Sequence, residues 1–240
     1  MTIAGKAVLV TGANRGIGRA LVDEALSRGA GLVYAGTRQP VTHPDTRVTA
    51  LALDVTDAAQ VEAAAARVSA LDILINNAGV APYDDLSDPA ALERALAVNL
   101  HGTHRVTRAF LPLLTRSGGA VVNNVSTMAF APLPLTPAYS VSKAAAFSLT
   151  QSLRALLAGQ GVSVHAVQTG PVDTDMTRGF DIPKASPESV ARAVFDGLEN
   201  QEEDIFPDPM SQAVAEAWRG GFAKELERQY AAIAAEFAAA

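Results

Sequence analysis

Short apolar runs alternate with longer, alanine-rich amphipathic stretches along nearly the whole chain, and this pattern constrains the fold most. Runs such as 7–10 and 120–125 are apolar for most of their length, which is typical of strands that helices cover on both faces. The stretches between them have helical periodicity and helix-ending residues. The alternation predicts an α/β fold with a doubly wound parallel sheet, Rossmann-like, and helices on both faces.

We expect strands over 7–10, 31–37, 48–53, 72–75, 120–125 and 162–167, and an edge strand at 205–206. Helices are expected over 17–28, 57–69, 87 to about 115, 138–157, 186–200 and 210–237, the last interrupted near Gly220 and Gly221. No linker or repeat interrupts the pattern. Residues 1–240 are therefore interpreted as one domain, with the core motifs in about 1–180 and a substrate loop and C-terminal helices in 181–240.

Composition excludes several classes of protein. A chain that is 49% hydrophobic and 18% charged is not intrinsically disordered, and a net charge of −6 lacks the basic footprint of a nucleic-acid binder. Without cysteine there is no disulfide framework and no thiolate metal site. The N-terminal apolar run is too short for a signal peptide, and prolines break the longest charge-free stretch. We expect a soluble, cytoplasmic protein with no membrane or nucleic-acid partner.

A glycine-rich turn follows the first predicted strand and opens the first helix. In it, Gly12 allows a sharp turn, Gly16 lets the backbone approach a pyrophosphate, and Gly18 lets helix and strand pack closely. Free N–H groups and the helix dipole then face an anion. The segment predicts a dinucleotide-binding turn whose other contacting residues are Asn14, Arg15 and Ile17.

Further motifs follow in order. Asn76-Asn77-Ala78-Gly79 follows the fourth strand, Asn99 lies in a helical stretch, Ser126 lies thirteen residues before Tyr139, and Tyr139 begins a Tyr-x-x-x-Lys sequence that ends at Lys143. Together with the glycine turn and the segment 169–174, these motifs resemble the short-chain dehydrogenase/reductase family over about residues 5–180. The resemblance implies a Rossmann-type enzyme that moves a hydride between a nicotinamide cofactor and a small-molecule substrate.

Tyr139 and Lys143 are four residues apart on a predicted helix, so their side chains share one face. A nearby ammonium is expected to lower the pKa of the Tyr139 phenol from its ordinary value of about 10 and to tune it for proton transfer. The resemblance implies that Tyr139 is the general acid/base and that Lys143 holds the nicotinamide ribose. It also implies that Ser126 hydrogen-bonds the substrate oxygen and that Asn99 positions a water or backbone group.

The end of the second strand predicts which dinucleotide binds. A carboxylate there would bind the adenosine ribose 2′-hydroxyl and repel a 2′-phosphate, but the sequence has Thr37 followed by Arg38. Arg38 and Arg15 converging on one point would suit a phosphate, so we predict NADP(H) rather than NAD(H). The resemblance places the rest of the cofactor against Asp54, Val55, Asn77, Ala78, Gly79, Gly170, Pro171, Val172 and Thr174.

Two departures from the family pattern bear on the site and on assembly. Thr169 stands where the family usually has proline, in the loop expected around the nicotinamide carboxamide. The C-terminal end lacks the glycine-rich strand that closes many members. This leaves the helices that carry Asn99 and Tyr139 as the expected interface of a homodimer.

Other signals leave alternatives open. His101 and His104 lack further ligands, so no metal site is predicted. The four-residue spacing of Trp218, Phe222, Leu226 and Tyr230 indicates a helix stripe facing the core or a partner. Several apolar residues lie near Ser126 and Tyr139 in the sequence or in the later loop. They either pack in the core or line a pocket for an apolar or aromatic substrate: Met128, Phe130, Leu133, Pro137, Pro171, Met176 and Phe180.

The function we expect is that of an NADP(H)-dependent carbonyl reductase or alcohol dehydrogenase. A reductase of 3-oxoacyl thioesters is the alternative among enzymes, and a basic patch at the pocket mouth would favour it. A catalytically silent NADP-binding regulator is the alternative from another class.

Overall fold

The computed structural model describes residues 1–39 and 41–239. One parallel sheet forms its centre. Its strands pair in the order β3-β2-β1-β4-β5-β6-β7. The strands are β1 (Ala7–Thr11), β2 (Leu32–Thr37), β3 (Val48–Ala52), β4 (Ile73–Asn76), β5 (Ala120–Asn124), β6 (Ser163–Val167) and β7 (Asp204–Ile205). The doubly wound, Rossmann-like fold is thereby confirmed.

Helices connect most of the successive strands and follow the last one; between β2 and β3 the described residues form a loop. They are α1 (Gly16–Ser27), α2 (Ala58–Arg67), α3 (Pro89–Leu96), α4 (Thr103–Ser117), α5 (Pro137–Ala158), α6 (Pro187–Glu199), α7 (Pro209–Arg219) and α8 (Phe222–Ala239). Side-chain oxygens cap several helices at their N-termini, as Asp57 does for α2 and Asp208 for α7. In the described part of the chain, no helix combines the length and apolar character that a membrane span needs.

The two faces of the sheet bury separate hydrophobic clusters. Because successive strand residues point to opposite faces, Val8 and Val10 pack in a cluster with residues of α1 and α6, whereas Leu9 packs with residues of α2 and α4. Fully buried Phe195 of α6 and Phe110 of α4 occupy the two clusters. This double covering explains why the strands read as apolar runs in the sequence.

The predicted elements lie within a few residues of the observed ones, with two differences. The helix expected from 87 to about 115 is divided, because a π-helical segment, Ala97–Gly102, lies between α3 and α4. π-Helical segments are rare overall, but those that occur are often at functional sites. Asn99 lies in this one. The edge strand is Asp204–Ile205 rather than 205–206, and it pairs with Ala166 and Val167 of β6.

The expected helix stripe near the C-terminus does not form a single face. The helix is interrupted at Gly220 and Gly221, so Trp218 lies on α7 and the other three residues lie on α8. Trp218 stacks on Phe130 with a centroid distance of 4.7 Å, whereas Phe222 is 79% exposed. The glycine pair changes the helix direction, which a spacing of four residues does not reveal.

Candidate active site

A groove of about 1500 Å³ follows the carboxyl edge of the sheet. It lies where β1 is flanked by β2 and β4, the point at which the strand order reverses and ligands of such folds bind. Every predicted cofactor-contacting residue except Pro171 lines it. These are Gly12, Asn14, Arg15, Gly16, Ile17, Gly18, Thr37, Arg38, Asp54, Val55, Asn77, Ala78, Gly79, Tyr139, Lys143, Gly170, Val172 and Thr174.

The glycine turn is closely packed. Gly12 has a φ of +67°, in the left-handed region that favours glycine. A Cβ on Gly18 would lie 2.1 Å from the Gly12 carbonyl oxygen, so α1 can approach β1 this closely only through glycine. No side chain caps the N-terminus of α1, and its first turn contains no acidic residue. Its free N–H groups therefore face the groove and suit an anion.

Tyr139 and Lys143 share a face of α5 and both line the groove. The Lys143 Nζ lies 5.6 Å from the centroid of the Tyr139 ring and donates a hydrogen bond of 2.6 Å to the Asn124 carbonyl oxygen at the end of β5. The helix and the end of β5 together hold Lys143 in place.

The pKa values of this pair correct one expectation. Burial raises the pKa of Tyr139 to about 12, although its hydrogen bond with Ser126 opposes the rise. Burial also lowers the pKa of Lys143 to about 8. The predicted depression of the Tyr139 pKa is therefore wrong for the protein without ligands. The physical reason is that both groups leave water, and each favours its neutral form.

Ser126 is buried directly after β5, and its hydroxyl connects three segments. Its Oγ donates to the Thr169 carbonyl oxygen at 3.2 Å and accepts from the Met128 amide at 3.1 Å. The Tyr139 hydroxyl is its third neighbour. Ser126 and Tyr139, which are thirteen residues apart in sequence, are thus brought together in the fold.

Asn99 holds the loop that follows β4. Its Oδ1 accepts from the Val80 amide, and its Nδ2 donates to the Val80 carbonyl oxygen, both at 2.9 Å. Nδ2 also donates to Ser142 Oγ at 2.8 Å, and Ser142 lies beside Lys143. The side chain thus positions a backbone group, one of the two possibilities that the resemblance implied.

A row of polar side chains across the strand ends was missed by sequence reasoning. Asn77 Nδ2 donates to the Thr11 carbonyl oxygen at 3.0 Å, Asn124 Nδ2 donates to Asn77 Oδ1 at 3.1 Å, and Thr169 Oγ1 donates to Asn124 Oδ1 at 2.6 Å. The row connects the ends of β1, β4, β5 and β6 and includes the residue whose carbonyl oxygen receives Lys143. The departure of Thr169 from the family's proline was the available signal.

Both arginines expected at the 2′-phosphate line the groove, but they differ in their surroundings. Arg38 is exposed at the end of β2, whereas Arg15 Nη1 pairs with Asp175 Oδ2 at 2.8 Å. Asp175 lies in the segment after β6 that forms the opposite wall of the groove. This pairing has no signal in the sequence, because 160 residues separate the partners.

The apolar residues named as pocket candidates divide between the two interpretations. Phe130 is partly buried and packs against Phe147 and Trp218, so it serves packing. Met176 lines the groove and is 45% exposed. Phe180 stacks on Tyr83 with a centroid distance of 5.7 Å and so joins the two loops beside the Tyr139 end of the groove.

The two histidines considered as metal ligands are both exposed on the π-helical segment and α4. Among the residues that the structure describes, no group of three histidine, aspartate or glutamate side chains could hold a metal ion.

The fold and the groove define a dinucleotide-binding protein of Rossmann type with a Ser–Tyr–Lys arrangement at one end. The family model for short chain dehydrogenase matches residues 6–184. The chain therefore belongs to the short-chain dehydrogenase/reductase family, as the motifs indicated.

Several relatives support this membership. The probable oxidoreductase EphD of Mycobacterium tuberculosis is 36% identical, with 88% of this chain and 39% of the relative aligned. The short chain dehydrogenase mpl6 of Monascus purpureus is 38% identical, with 72% and 66% aligned. The chain thus spans about two fifths of the length of the mycobacterial relative and about two thirds of the fungal one.

Solved structures of similar proteins share the fold. A short chain dehydrogenase from Burkholderia cenocepacia, in complex with NADP, is 38% identical with a TM-score of 0.86, covering 92% of this chain and 95% of that one. A 3-ketoacyl-(acyl-carrier-protein) reductase from Brucella melitensis, complexed with NADH, is 25% identical with a TM-score of 0.74, covering 87% and 93%.

Proposed function

We propose that this chain is an NADP(H)-dependent oxidoreductase that interconverts a carbonyl and a secondary alcohol on a small apolar or aromatic substrate. The observation that carries the proposal is the position of Tyr139 and Lys143, which line the same groove as the glycine turn. The Burkholderia relative crystallised with NADP supports the choice of cofactor.

The groove fits the cofactor on structural grounds. The uncapped N-terminus of α1 and the glycine turn would hold the pyrophosphate, because they offer N–H groups and no obstructing Cβ atoms. Arg38 and Arg15 would hold the 2′-phosphate, and Lys143 the nicotinamide ribose. Adenine would lie by Asp54 and Val55, its ribose by Asn77, Ala78 and Gly79, and the carboxamide by Gly170, Val172 and Thr174.

The chemistry divides between the cofactor and the chain. When bound, the nicotinamide supplies or accepts the hydride. In the reducing direction Tyr139 Oη gives its proton to the substrate oxygen, which becomes the alcohol hydroxyl. The Ser126 hydroxyl would hydrogen-bond that oxygen, since its proton can rotate away from Thr169. Asn99 would keep the Val80 loop in place beside the reacting groups.

The substrate class follows from the loops beside Tyr139. Tyr83 lies next to Pro82, which lines the groove, and next to Asp84, whose carboxylate accepts from the Ala138 amide. With Phe180 and Met176, Tyr83 would give this end an apolar or aromatic wall. Such a wall favours a substrate that can bury flat or aliphatic groups.

The thioester alternative is less well supported. The loop beside Tyr139 carries Asp84 and Asp85. The one nearby arginine that lines the groove, Arg94, pairs with Asp88, so the described residues form no basic patch there. These acids would repel an anionic carrier. The 25% identity with the Brucella reductase does not outweigh this charge pattern.

Nicotinamide absorbance with a panel of small ketones and alcohols and with both cofactors tests the proposal. We expect turnover with NADP(H) on apolar or aromatic members of the panel. Binding of NADPH without turnover of any of them would instead support the silent regulator. A cytoplasmic location stays a prediction of the sequence.

The proposal includes a homodimer through α4 and α5, the helices that follow Asn99 and carry Tyr139. Val141 and Leu156 are 45% and 66% exposed on α5, as an interface between two copies requires. Sedimentation of the wild type should give a dimer, and Leu156→Glu should shift it towards monomer. A tetramer, or a wild-type monomer, would contradict this assembly.

A further inference from the structure

The Asp175 carboxylate holds two arginines at the wall of the cofactor groove. Its Oδ2 accepts from Arg15 Nη1 at 2.8 Å, and its Oδ1 accepts from Arg178. Arg15 belongs to the glycine turn, whereas Asp175 opens the turn Asp175–Thr177 after β6. The ion pair therefore joins the two walls where they already touch, since a Cβ on Gly16 would lie 3.0 Å from Thr174 Cγ2.

This pairing occupies a side chain that the cofactor would use. The side chains of Arg15 and Asp175 are 67% and 42% exposed, and ion pairs so exposed to water are weak. A phosphate can bind a guanidinium through two parallel charge-assisted hydrogen bonds, which are stronger. Departure of Arg15 would not leave Asp175 unpaired, because Arg178 stays on the other oxygen. The exchange of carboxylate for phosphate is therefore energetically accessible.

We propose that Asp175 and the 2′-phosphate of the cofactor compete for Arg15, so that Asp175 reduces the preference of this chain for NADP(H) over NAD(H). The inference rests on the proposed function, because it requires a dinucleotide in the groove. NAD(H) has no 2′-phosphate and leaves the Arg15–Asp175 pair intact. Asp175 is thus a specificity determinant that acts through Arg15.

Calorimetric titration of the full chain with NADPH and with NADH tests the competition. Removing a carboxylate near the pyrophosphate strengthens binding of both dinucleotides, so the informative quantity is the ratio of Kd for NADH to Kd for NADPH. Asp175→Asn should raise this ratio about two- to five-fold, the range that loss of an exposed ion pair allows. Asp173→Asn is the matched control, since Asp173 is exposed, lies two residues away and forms no ion pair within the described residues. It should leave the ratio unchanged.

A double-mutant cycle completes the test. In an Arg15→Gln background, Asp175→Asn should no longer change the ratio, because the shared guanidinium is gone. An equal change in both Kd values, or a ratio change that persists without Arg15, would overturn the inference while leaving the proposed function intact. Failure of the wild type to bind either dinucleotide would overturn both.

Discussion

The two ends of the groove differ in how their charged side chains are held. At the Tyr139 end, Lys143 is 6% exposed and is fixed by a strand carbonyl and by the face of its own helix. At the Arg15 end, the guanidinium is 67% exposed and is held by one carboxylate on the opposite wall. The buried end is organised before any ligand binds, whereas the exposed end must exchange one partner for another.

The difference shows where chemistry and selectivity reside. Proton transfer requires atoms held at hydrogen-bond distance, and a buried site with hydrogen-bonded side chains provides this. Selection between two dinucleotides requires a modest difference in affinity, and a weak exposed pair can supply or reduce it. Substitutions at the buried end should therefore have larger effects than substitutions at the exposed end.

Tyr139→Phe should lower kcat by about 10²–10⁴, because it removes the proton donor while keeping the ring. Single-turnover and steady-state rates with the best ketone of the panel would measure the loss. Tyr230→Phe on α8 is the matched control, since Tyr230 is 62% exposed and remote from the groove, and its kcat should not change. A Tyr139→Phe enzyme with nearly wild-type kcat would remove Tyr139 from the reaction.

Arg38→Asp should raise the Kd for NADPH about 10- to 100-fold, because it replaces a charge-assisted bond to the 2′-phosphate by repulsion. The same change should favour NADH, whose ribose 2′-hydroxyl can bind a carboxylate. Titrations with both dinucleotides give the comparison. Arg116→Asp, an exposed charge reversal in the last turn of α4, should alter neither Kd. Comparable kcat/KM of the wild type for both cofactors would contradict the predicted preference.

Lys143 should make stability depend on pH. The pKa of Lys143 in the folded protein, about 8, lies below its ordinary value of 10.5. Below pH 8 the buried ammonium therefore lowers the free energy of unfolding by its full amount. This destabilisation disappears as the pH rises towards 10.5. Between pH 8 and pH 10 the wild type should therefore gain on the order of 2 kcal/mol relative to Lys143→Met. Urea unfolding of both proteins measures this difference. Above pH 10 the raised pKa of Tyr139 should lower the free energy of unfolding, because the phenol ionises at lower pH in the unfolded chain than in the folded one. Parallel stability curves below pH 10 would show that Lys143 is not penalised by burial.

The sequence predicted the buried end well, because its determinants are local. A spacing of four residues fixes which helix face Tyr139 and Lys143 share, and apolar runs fix where strands end and loops begin. The interruption at Gly220 and Gly221 was also predicted, because glycine marks helix ends. The π-helical segment around Asn99 escaped prediction, since it depends on tertiary packing rather than on periodicity. The sequence predicted that Arg15 binds the phosphate but not that Arg15 pairs with Asp175, because long-range ion pairs leave no pattern in a single sequence.

The pKa values of Tyr139 and Lys143 also escaped prediction, because they depend on burial. Helical spacing correctly placed an ammonium near a phenol, but it contained no information on how much water each group loses. Because desolvation is the largest cause for both, the pKa of Tyr139 rises and that of Lys143 falls. A dinucleotide entering the groove would change the surroundings of both groups, so the catalytic pKa values belong to the complex rather than to the free protein.

Thr169 tests how far the buried end depends on its row of polar side chains. Thr169→Val keeps the shape but removes the hydroxyl that donates to Asn124 Oδ1 at 2.6 Å, leaving a partly buried acceptor short of a donor. The free energy of unfolding should fall by about 1–2 kcal/mol in urea titrations. Thr169→Ser retains the hydroxyl and should recover most of that loss, apart from the contribution of one methyl group. Equal losses in the two variants would assign the effect to packing and would show that the row linking β5 and β6 adds nothing to the rigidity of the Lys143 site.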